Sequence, residues 1–277
     1  MSFRDILAVV TSYGQGEHVI AFAESLAKQT AGRFAAAMVN WQPNVAPVDG
    51  MVADPLFGQL MDDVRAQLKE EAGKLKERLS KAEPPAPVES YLIEFGAAGS
   101  VIGMRARHAD VCIVARPTKA NRDSAQAVLE AALFESGRPV IIVPPEWKSA
   151  DIGKHVLLAW KPTREAARAL ADADELILGA ERVSVVTVDA KPSRGYGEQP
   201  GADIAAHLAY RGAKVDLFNL DSAGRSETDA ILRQAQAVGA DLIVMGGYGR
   251  ARLSELIFGG VTREILHTAT VPVLMAH

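Results

Sequence analysis

Short runs of apolar, often β-branched residues alternate along this chain with longer stretches in which apolar positions recur every three or four residues. The runs Ile6-Leu7-Ala8-Val9-Val10 and Val156-Leu157-Leu158-Ala159-Trp160 are continuously apolar, as expected of strands buried on both faces of a sheet. Each is followed by a polar turn and an Ala-rich helix. In the later helix Ala166, Ala169, Leu170, Ala173 and Ile177 share one face, with Thr163 placed to cap it and Gly179 to stop it. Beyond it the pattern predicts a strand over 183–188, a helix over about 202–211 and a strand over 215–220. A helix opened by the S-x-x-D pattern Ser226-Glu227-Thr228-Asp229 and closed by Gly239 comes next. A strand over 242–245, a helix and a last strand complete the series. Such regular alternation implies right-handed crossovers and a parallel sheet with helices on both faces.

The series occurs twice. His108-Ala109-Asp110-Val111-Cys112-Ile113-Val114 matches Gly239-Ala240-Asp241-Leu242-Ile243-Val244 when the aspartates are aligned. Arg138-Pro139-Val140-Ile141-Ile142-Val143 likewise echoes Val271-Pro272-Val273-Leu274-Met275. The Pro-rich stretch 144–151 reads as a linker, so two domains are expected, over 1–146 and 152–277. The first copy carries a long helix over about 55–82, with Leu56, Leu60, Val64, Leu68, Ala72, Leu75 and Leu79 spaced for one apolar face. The loop before it, 40–54, is either a lid or partner surface or a plain surface excursion.

Composition narrows the function classes. A formal net charge of -4 without any Lys/Arg-rich block argues against nucleic acid and anionic membrane as partners. No apolar stretch reaches membrane-spanning length and no signal-peptide core is seen, so a cytoplasmic location is expected. The one cysteine, Cys112, lies inside a strand-like run and reads as a small buried hydrophobe. The histidines, at 18, 108, 155, 207, 267 and 277, lack metal-ligand spacing. Neither a G-x-S-x-G elbow nor a Walker sequence is present.

The chemistry points instead to the glycines after the strand 242–245. Gly246, Gly247, Gly249, Gly259 and Gly260 lie between that strand and a helix, where oriented N–H groups and the helix dipole favour an anion. The first copy has Ala115-Arg116-Pro117-Thr118 there, and a proline removes an amide donor. Glu165 and Asp189 have two readings: a pair holding a metal ion near a ligand's phosphates, or a first-turn helix residue and a loop start.

On these residues the chain resembles a tandem universal stress protein, two such domains fused head to tail. Gly246, Gly249 and Gly259 fit the G-x2-G-x9-G-[ST] motif of the family's nucleotide binders, with Gly260 where the hydroxyl residue stands. The resemblance implies two flavodoxin-like, Rossmann-like α/β domains, each a five-stranded parallel sheet of order 3-2-1-4-5. It implies ATP or a related adenine nucleotide, with or without Mg, in the second domain at Gly246, Gly249, Gly259, Gly260 and Val261. Val188 would face the adenine, and Trp160 and Lys161 stand at the tip of the first strand, where the family's binders carry an aspartate. Lys161 either binds phosphate directly or marks a different anionic ligand. The implied role is a non-enzymatic, ligand-dependent module of the stress response acting on an unknown protein partner. The alternative is a scaffold with a degenerate site, and hydrolysis of ATP would at most be slow. Pairing of the fifth strands implies an intramolecular pseudo-dimer, with homodimers of the tandem chain also open.

Overall fold

A computed structural model describes residues 3–43, 55–149, 152–194, 197–247 and 260–277. By contacts the chain divides into a unit formed by Phe3–Arg138 and one formed by Pro139–His277. The first unit runs β1 (Asp5–Val10), α1 (Glu17–Gln29), β2 (Arg33–Trp41), α2 (Pro55–Ser80) and β3 (Val88–Ile93). A 3-10 turn (Phe95–Ala97), a π turn (Gly99–Gly103) and the short α3 (Met104–Ala106) follow, then β4 (Val111–Ala115) and α4 (Arg122–Glu135). Its strands lie parallel in the order β3-β2-β1-β4. The apolar runs are buried as their lack of alternation requires: Ile6 to Val10 and Val111 to Val114 are all at most 3% exposed. Cys112 sits within that core, and burial pushes its thiol up to about 12, so it is inert packing. Along α2 the expected apolar face is buried at Leu68, Leu75 and Leu79, whereas Leu60 is 43% exposed. Arg78 ties α2 to α1 by pairing with Glu17 and Glu24 at 3.0 and 2.9 Å.

The second unit contains β5 (Val140–Val143), β6 (His155–Ala159), α5 (Arg164–Asp172), α6 (Asp174–Gly179), β7 (Arg182–Val188), α7 (Ala202–Tyr210) and β8 (Val215–Leu220). It continues with α8 (Glu227–Val238), β9 (Leu242–Gly246), α9 (Gly260–Thr268) and β10 (Val273–Ala276). Its order is β5-β10-β9-β6-β7-β8. Read from β8, the parallel strands follow the expected 3-2-1-4-5 order, and β5 adds to β10 as an antiparallel neighbour, with Ile141 opposite Leu274. The single helix expected from Thr163 to Gly179 is two helices, broken at Ala173. There the carboxylate of Asp172 is held by Arg168 at 2.8 Å and a new first turn begins at Asp174. Both caps read from sequence form: Thr163 Oγ1 accepts from Ala166 N, and Ser226 Oγ from Asp229 N.

The repeated aspartates do the same work in both units. Asp110 Oδ2 accepts from the amides of Arg4 and Asp5, both at 2.9 Å. Asp241 accepts from the amides of Gly153, Lys154 and His155 at 2.9, 2.9 and 3.3 Å. The residue after each aspartate then pairs with the first strand, Val111 with Ile6 and Leu242 with Val156. Burial pushes the Asp241 carboxyl above the usual carboxylate range, although the three amides pull the other way.

Candidate functional site

In the second unit the crossovers diverge between β6 and β9. Connections from β6 through β7 to β8 run one way, and those from β8 through β9 to β10 return on the other face, leaving a crevice outside the strand tips. Five of the residues singled out in the sequence border this edge. Trp160 is half-buried, with its amide donating to Val186 O at 2.8 Å, and Lys161 beside it is exposed. Val188 is the half-buried end of β7. Gly260 and Val261 open α9, and the Val261 carbonyl accepts from the Thr228 hydroxyl at 3.2 Å, anchoring that first turn to α8. Gly249 and Gly259 lie outside the described residues.

The glycines turn out to have different jobs. A Cβ on Gly246 would stand 2.5 Å from Ala166 N and 2.7 Å from the Glu165 carbonyl carbon, inside the backbone of α5. Gly246 is therefore demanded by packing: it lets the start of α5 close onto the tip of β9. Gly247 spends its amide on Ala276 O at 2.9 Å. A Cβ on Gly260 would meet nothing within 4 Å among the described residues, so packing does not demand glycine there.

Two charged groups complete the crevice. Asp189 takes a left-handed backbone (φ 48°) just past β7, and its Oδ1 accepts from the Ser222 amide at 2.9 Å. The Ser222 hydroxyl and amide hold its carboxyl below the usual range, so it is committed to the β7–β8 edge. Glu165, read from the sequence either as a metal holder or as a first-turn helix residue, lies in the first turn of α5. It is only 9% exposed, on the sheet-facing side of α5 with Ala169 and Asp172. The helical spacing of 165, 169 and 172 is a signal that would have placed it there. Arg164 Nη2 lies 3.9 Å from its Oε1.

The first unit differs at the equivalent edge. The space between the tips of β1 and β4, lined by Val10, Thr11, Gln15, Gly16, Ala115 and Asn121, is a cavity of about 10 Å³, barely one water. Asn121 Oδ1 is taken by the amide and hydroxyl of Thr118 at 2.8 and 2.7 Å. A larger groove of about 600 Å³ in this unit lies at the other edge, beside the C-terminal ends of α1 and α2. It is bordered by charges of both signs, Lys28, Arg33 and Lys81 against Glu24 and Glu83. It stands away from the chemistry expected of this fold, which belongs to the carboxyl ends of the strands.

At the second unit's crevice the N-terminus of α5 is thus drawn close to the tip of β9 by Gly246, and a helix N-terminus favours an anionic group. Among the described residues no group of three or more His, Cys, Asp or Glu is placed to hold a metal, and no helix is long and apolar enough to cross a membrane.

No curated protein matches the chain. A universal stress protein from Archaeoglobus fulgidus DSM 4304 is 16% identical, with 100% of this chain and 99% of that one covered and a TM-score of 0.71. A universal stress protein, described as putative, from Pseudomonas aeruginosa UCBPP-PA14 is also 16% identical, over 99% and 92% of the two chains, with a TM-score of 0.60. Another universal stress protein, solved in complex with cAMP, is 20% identical over 45% of this chain and 97% of its own, with a TM-score of 0.36. Residues 153–277 match the model of the Universal stress protein family, and solved universal stress proteins share the fold over the whole chain.

Proposed function

We propose that the chain is a cytoplasmic stress-response protein that binds an adenine nucleotide, ATP or a relative, in the crevice of its second domain, 152–277. It acts as a ligand-dependent signalling or protective module, without a catalytic residue of its own. The observation that carries this reading is the meeting of the α5 N-terminus with the tip of β9 through Gly246, at the edge where the strand order reverses. A helix N-terminus at a sheet edge favours an anion by its dipole. Trp160 and Val188 offer half-buried apolar surface for a base, and Lys161 an exposed cation for phosphate. The first domain, 1–146, does not bind nucleotide in this manner, since its crevice is filled.

Acid extraction of the purified protein should release an adenine nucleotide, or added ATP should raise its Tm by mass action. Finding neither at millimolar ATP would sink the proposal. A second reading, a scaffold that binds no nucleotide, is favoured by one observation, the buried Glu165, an acidic residue whose backbone meets this edge. It expects no ligand response at all.

A further inference from the structure

We draw no further inference here: the strongest candidate, the mixed-charge groove of about 600 Å³ beside the C-terminal ends of α1 and α2 in the first unit, has Arg33, Lys81 and Glu24 on its rim already paired with Asp5, Glu77 and Arg78, and nothing in the structure shows what would fill it.

Discussion

Replacing Gly246 with alanine separates a glycine that the fold needs from one that only a ligand needs. The new Cβ would stand 2.5 Å from Ala166 N, 2.7 Å from the Glu165 carbonyl carbon and 2.9 Å from Ala166 Cα. All three are backbone atoms of α5, so no flexible side chain can swing away. The helix would have to retreat as a body from β9 and β10, on which it packs and whose interior residues are wholly buried. Overpacking of this kind costs about 1–3 kcal/mol. Gly260→Ala meets nothing within 4 Å among the described residues, and alanine is the better helix former, so its stability should be unchanged or higher by up to about 1 kcal/mol. Urea unfolding of both variants, followed by far-UV circular dichroism and free of nucleotide, gives the comparison directly. A Gly246→Ala protein as stable as wild type, or equal losses in both variants, would refute the assignment of Gly246 to packing. Loss of nucleotide binding in Gly246→Ala would then not identify a phosphate contact, because α5 has moved; the same loss in Gly260→Ala would.

Other outcomes follow from the same geometry. Asp241→Ala removes an acceptor from three amides and should cost about 2 kcal/mol in urea unfolding. Asp110→Ala should act in the same direction in the first unit, and a neutral result for both would show that the paired aspartates are not structural. Glu89 is held below the usual carboxylate range, chiefly by its hydrogen bond from Arg105 at 2.9 Å. A lowered folded-state pKa means that this stabilisation is full above the ordinary glutamate range, about 4.3, and is lost as pH falls through the lowered value. Unfolding midpoints measured from pH 7 to pH 3 should therefore fall more steeply for wild type than for Glu89→Gln; parallel curves would remove the ion pair from the account.

Much of the fold was legible because its signals are local. Continuous apolar runs with no alternation permit only strands covered on both faces, and the hydroxyls at Thr163 and Ser226 satisfied helix amides where the spacing placed them. The aligned aspartates gave away the repeat, and their shared hydrogen bonding explains why the residue type recurs. The break at Ala173 escaped notice because Ala169, Ala173 and Ile177 keep helical spacing across it. The interruption lies in the backbone of Ala173 (φ -86°, ψ 5°), which no residue type in the stretch announces.

The sequence by itself determined the β-α order, the double copy and the strand edge at which chemistry belongs, since all of these depend on periodicity and on residues close in the chain. Only the tertiary structure decided what the residues at that edge do. It showed that Gly246 is required for packing against α5 and left about 10 Å³ between the tips of β1 and β4 in the first unit. It also brought the backbone of Glu165 against a strand tip some eighty residues away in the chain. The physical reason is that close approach, burial and net charge at a site are set by elements distant in sequence, and no local pattern encodes the distance between them.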